Sequence, residues 1–128
     1  MSFVGSTLGG GGEFNNKNIK KMAYYSDVLI EQVWQKAKEE QGYNPQIWRK
    51  DFAGAWIRRD AYGLDHKYGW EIDHLRPVSK GGSDDLSNLN PLHIKNNRLK
   101  GDSYPTFQTA ITAQDNTNVE RIQSWRAN

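Results

Sequence analysis

The heptapeptide Glu71-Ile72-Asp73-His74-Leu75-Arg76-Pro77 sets an acid beside a histidine between two large apolar residues. A neutral imidazole, which ordinarily titrates near pH 6.5, can take a proton from water at neutral pH. A carboxylate beside it is a hard oxygen ligand of the kind that Mg2+ or Mn2+ prefers. Together the two types can activate water and offset charge on a phosphoryl group, as phosphodiester hydrolysis requires. If the stretch is a strand, its alternation sends Asp73 and His74 to opposite faces, and one of them must point into the protein. The same dipeptide recurs at Asp65-His66, within "LDHKYG". That copy reads as a solvated turn.

The elements that would position the pair are legible nearby. Trp70 to Leu75 reads as a strand ended by Pro77, "SKGGSDDLSN" as a loop of turn-forming residues, Leu89 to Leu92 as a second strand, and "HIKNNRLK" as a helix stopped by Gly101. Upstream, "SDVLIEQVWQKAKEEQG" predicts a helix from an N-cap at Ser26 to a terminator at Gly42, with Leu29, Ile30, Val33, Trp34 and Ala37 on its core face. Between 43 and 69 the glycines and Asn44-Pro45 break the chain into short strands or loops, with Phe52, Trp56, Ile57, Tyr62 and Tyr68 expected inside. After 102 we expect a strand around Phe107 to Ile111 and a short helix around Asn118 to Trp125, with Trp125 a clamp on the rest.

Composition limits what the pair can do. The 128 residues include five Trp, enough for one modest aromatic core, so residues 22–128 read as a single domain. Residues 1–21, with Gly9 to Gly12 in a row, read as a flexible leader or an extension ahead of a start at Met22. No Cys is present, which excludes disulfides, thiolate metal sites and a cysteine nucleophile. The formal charge of +2 permits nucleic-acid binding without demanding it. No apolar run approaches the roughly 20 residues that span a bilayer, nor does a secretory signal follow the N-terminus. The expectation is a soluble, cytoplasmic protein with no membrane association.

The run "EIDHLRPVSKGGSDDLSNLNPLHIKNNRLKGD" resembles the motif of the HNH endonuclease family across residues 70–102. The Asp-His pair, the Pro, the Gly-Gly, the Asn-Leu pair and a helix ending "NNRLKGD" stand in the family's order. The resemblance implies an α+β fold with a ββα-metal core, flanked here by an N-terminal helix and by short strands and helices. It implies a divalent-metal-dependent nuclease with His74 as general base, Asp73 as metal ligand, Asn88 as the middle Asn and Asn97 as second metal ligand. Asn88 lies 14 residues after His74 and Asn97 nine after Asn88, as in the family's pattern, whereas Lys80 stands at the first of these spacings from His66.

The chemistry of each side chain runs parallel. Asn88 is neither acid nor base, but its amide can bond across the loop and hold the hairpin and the His74 ring in register. On the helix, His93, Asn97 and Lys100 share a face, which would turn a metal ligand and a phosphate-binding lysine toward substrate. His93 suits a helix-start hydrogen bond as well as a place in the site. Arg76, Lys80, Lys95, Arg98 and Lys100 are candidates for nucleic-acid backbone contacts, which give salt-sensitive affinity without reading sequence.

Asn96 competes with Asn97 for the second ligand position, and the frame from Asn97 to Asp102, "NRLKGD", favours Asn97. Family members that bind a structural zinc do so through two Cys pairs, and this chain has none, so no structural zinc is expected. The expected cofactor is Mg2+ or another divalent cation such as Mn2+, and the expected partner is nucleic acid, double-stranded DNA first. Two other readings stay open: a catalytically weak or inactive nucleic-acid-binding module on the same frame, and a nuclease toxin domain.

Overall fold

A computed structural model describes residues 24–128, so the expected leader and Met22 lie outside the described residues. The first element is the helix α1, Asp27–Trp34, which starts as the sequence dictates. Ser26 is extended and its hydroxyl accepts the Leu29 N–H at 3.1 Å, with Asp27 in the positive first turn. It buries Ile30, Val33 and Trp34.

The helix stops well short of Gly42, and the reason is long-range. The buried Arg49 guanidinium gathers the carbonyl oxygens of Gln35, Ala37 and Pro45, while Lys38 and Lys50 exchange both backbone hydrogen bonds, at 2.8 and 2.9 Å. Those partners take the carbonyl that a continuing helix would use near Gln35, and they draw the chain into a bridge. The strands β1, Trp48–Lys50, and β2, Trp56–Arg58, then pair antiparallel.

The next unit is a hairpin and a helix. The strand β3, Trp70–His74, pairs antiparallel with β4, Leu89–His93, opposing Trp70 to His93 and His74 to Leu89. The helix α2, Ile94–Lys100, follows at once and lies against β3. The two strands are therefore held at one end by the turn into α2 and at the other by the loop of residues 75–88. Two short 3-10 turns, Val78–Lys80 and Leu86–Asn88, shape that loop.

The C-terminal segment is a hairpin of β5, Thr106–Gln114, and β6, Thr117–Arg126. The helix expected at Asn118 to Trp125 is a strand. Asp115 adopts a positive φ of 57° in the connecting turn, a conformation Asp tolerates, and β5 then offers a full ladder to residues whose spacing alone reads as helical.

Three two-stranded sheets thus share no ladder. The core lies between α1 and the inner faces of β2, β3 and β4: Ile30, Val33, Trp34, Ala37, Ile57, Trp70, Ile72 and Leu89 form one cluster, with Trp34 and Trp70 ring centroids 5.4 Å apart. Each large side chain buried there contributes on the order of 2 kcal/mol. Of the residues expected inside between 43 and 69, Trp56 and Ile57 are buried, Tyr62 and Tyr68 are half-buried, and Phe52 is exposed. Phe52 still makes edge contacts with Phe107 and Trp125, closing the apolar edge of the hairpin where Trp125 was expected to clamp.

Candidate active site

Alternation along β3 divides its residues between two jobs. Trp70 and Ile72 point into the cluster with α1, while Glu71 and Asp73, two residues apart, point to α2. Asn97 Nδ2 donates to Glu71 Oε1 at 2.9 Å. One turn further along α2, Lys100 Nζ lies 3.3 and 3.2 Å from the two oxygens of Asp73 and donates to the His74 carbonyl at 3.0 Å. Its ammonium also sits 5.2 Å from the Phe107 ring centroid. Glu71, Asp73, Asn97 and Lys100 are all buried.

Lys100 was expected to reach phosphate from an open helix face. It is fully buried, because the helix face that bears it packs on β3 and a buried carboxylate there holds the charge. Arg76, Lys80, Lys95 and Arg98 do lie at the surface. Arg76 Nε donates to the Lys80 carbonyl at 2.7 Å, with its guanidinium 5.8 Å from the Tyr104 ring centroid, and Lys80 Nζ donates to the Asp102 carbonyl at 2.7 Å. Arg98 pairs loosely with Asp65 at 3.8 Å. Asp65 and His66 are exposed, as a solvated turn should be.

His74 leaves β3 on the other side from Asp73. Its Nε2 lies 2.7 Å from Asp84 Oδ1, and its Nδ1 is buried without a hydrogen-bond partner among the described residues. Asn88 clamps the loop that carries Asp84. Its Oδ1 accepts the Arg76 N–H at 2.9 Å, and its Nδ2 donates to the Arg76 carbonyl at 3.0 Å and the Ser83 carbonyl at 2.8 Å. Asn88 is therefore the expected tie across the hairpin, while the His74 ring itself is met by Asp84. Gly81 turns the chain with φ 88°, and Gly82 lies so close to the strand end that a methyl there would fall 1.7 Å from the Arg76 carbonyl oxygen.

The two neighbouring asparagines separate cleanly. Asn96 faces the core, bonding Asp51 Oδ2 and both backbone groups of Ile111, while Asn97 faces the carboxylates of β3. His93 starts the helix. Its Nδ1 accepts the Lys95 N–H at 3.1 Å and its Nε2 donates to the Lys67 carbonyl at 2.8 Å, and burial pushes its pKa down to about 4. It caps α2 and does not join Asn97 on the face turned to β3. Beside it, Asp51 accepts the N–H groups of His93, Ala53 and Ala55 and the Asn96 amide, yet burial outweighs these bonds and raises its pKa to about 6.

Three further residues stand near these side chains. Glu71 was detectable, since two acids at alternate positions of a strand share a face. Asp84 was not, because only the folded loop returns it to His74. Tyr25 carries no local signal either: its half-buried phenol has a raised pKa, first from burial and then from the charges of Asp84 and Asp73.

For a cation, the donor chemistry fits. Among the described residues no three His, Asp or Glu side chains converge as a metal cluster, so amide and backbone oxygens would have to complete a set begun by Asp73. The Asp73 carboxylate and the His74 carbonyl already hold one buried positive charge, that of Lys100, and Asn97 stands one helical turn away on the same face.

The strand pair and the helix thus carry Asp73 and His74 on the first strand and Asn97 on the helix. A family model described as HNH endonuclease matches residues 62–103, a span that contains β3, β4, α2 and the loop between the strands. The chain therefore contains, at residues 62–103, a segment that matches the HNH endonuclease family. No curated protein and no solved structure matches it.

Proposed function

We propose that the protein is a divalent-metal-dependent endonuclease that hydrolyses phosphodiester bonds in nucleic acid, with double-stranded DNA as substrate and the cytoplasm as its place of action. In this reading β3, β4 and α2 form a ββα-metal core. The observation that carries it is the splitting of Asp73 and His74 by the strand: one side chain lies with a buried ammonium, the other with an imidazole nitrogen that has no hydrogen-bond partner among the described residues. His74 accepts the proton of the attacking water. Asp73 and Asn97 would hold the cation, which when bound supplies positive charge to the phosphoryl and leaving oxygens. Asn88 holds the loop and thereby the hairpin geometry. Arg76, Lys80, Lys95 and Arg98 would contact the nucleic-acid backbone.

The test is plasmid nicking with Mg2+ or Mn2+, against EDTA and against His74→Ala. We expect cleavage that is abolished by EDTA and reduced at least about a hundredfold by the substitution, the lower range for loss of a general base. Cleavage that survives both would refute the mechanism. Binding without cleavage under every metal tried would make the domain a nucleic-acid-binding module.

A further inference from the structure

We propose that Asp84 is a positioning residue for His74, fixing the ring with its proton on Nε2 and its lone pair on Nδ1. The proposal rests on the nuclease reading above and adds to it a residue that the motif's spacing does not single out. A neutral imidazole has one N–H and one lone pair, and which nitrogen carries the proton is set by the partner of the other. An ionised carboxylate can only accept. At 2.7 Å from Asp84 Oδ1, Nε2 must be the donor, and the lone pair then falls on Nδ1, the buried nitrogen with no hydrogen-bond partner among the described residues.

Asp84 is itself largely exposed, so its position needs a cause other than burial. The loop supplies it. Ser83, on one side, is held through its carbonyl by Asn88 Nδ2, and Asp85, on the other, accepts the Asn88 N–H at 2.8 Å. Gly82 packs directly against the strand end at Arg76, and Lys36 reaches from beyond α1 to the carbonyl oxygens of Leu86 and Leu89. The backbone is thus held on both sides of a side chain whose hydrogen-bond partner among the described residues is the His74 ring. This also gives Asn88 a definite effect on the chemistry: it acts on His74 through Asp84.

The experiment has two readouts on wild type, Asp84→Ala and Asp84→Glu. Two-bond proton–nitrogen spectra of the histidine rings, recorded without metal or DNA and assigned with His74→Ala, report which nitrogen of His74 is protonated. Plasmid nicking reports the rate. We expect an Nε2–H ring in wild type, a mixture of tautomers in Asp84→Ala with nicking slowed about 10- to 100-fold, the range typical for loss of an orienting partner, and recovery of both in Asp84→Glu. An unchanged ring in Asp84→Ala, or a changed ring with wild-type nicking, overturns the positioning role while sparing the nuclease reading. A wild type that has the Nε2–H ring but never nicks overturns the nuclease reading and leaves the Asp84–His74 pairing established.

Discussion

Lys100 decides how the site is balanced at the level of single residues. Its ammonium and the Asp73 carboxylate are both fully buried, so each is the other's compensation for lost hydration. Lys100→Met keeps much of the side-chain volume and removes the charge. Thermal unfolding in EDTA should show a loss of about 3–5 kcal/mol, the range for removing one member of a buried pair. Mn2+ should then raise the melting temperature of the variant more than that of wild type, because a cation on Asp73 replaces the missing ammonium. Equal metal shifts in the two proteins would remove Asp73 from the proposed ligand set. The sequence placed Lys100 correctly on the face with Asn97 and misjudged what that face meets. Helical spacing gives the face of a residue, whereas its burial depends on a strand some 27 positions earlier.

At the scale of elements, the start of α2 joins two buried titrating groups with opposite pH behaviour. Asp51 has a raised pKa in the fold, so its contribution to stability is fully present below about pH 4 and is lost as pH rises through about 6. His93 has a lowered pKa, so its contribution is fully present above about pH 6.5 and is lost as pH falls through about 4. Each contribution is on the order of 3 kcal/mol, and over pH 4–6 the two slopes nearly cancel. Urea midpoints should thus vary little from these groups in wild type. Asp51→Asn should lose stability on acidification, and His93→Asn should gain it. Parallel pH profiles for the two variants would contradict this account of the junction. β3, β4 and α2 were legible in the sequence because local turn residues mark their ends. The end of α1 and the whole of β6 were not, since Arg49 stops the first and β5 recruits the second from outside the local window.

At the scale of the whole molecule, three sheets among the described residues share no ladder, and asparagine amides tie strands, loop and helix where no further strand is available. Asn88 pairs with both backbone groups of Arg76, Asn96 with both of Ile111, and Asn118 with both of Trp56. An amide side chain offers a donor and an acceptor side by side, so it can satisfy one residue's N–H and C=O where no strand is available. Asn118 secures the turn end of the C-terminal hairpin to β2, helped by the Trp56 indole on the Asp115 carbonyl at 3.1 Å. Asn96 secures the hairpin's middle to α2, the helix that carries Asn97 and Lys100. The two ties should therefore fail differently. Asn118→Ala should speed native-state hydrogen exchange at the Trp56 amide, with nicking retained. Asn96→Ala should speed exchange at Ala110 and Ile111, cost about 1–3 kcal/mol for each buried group left unpaired, and slow nicking because α2 loses its support. Unchanged protection at Ala110 and Ile111 in the second variant would show that packing of Phe107 and Ile111, and not the amide, attaches the hairpin to the helix.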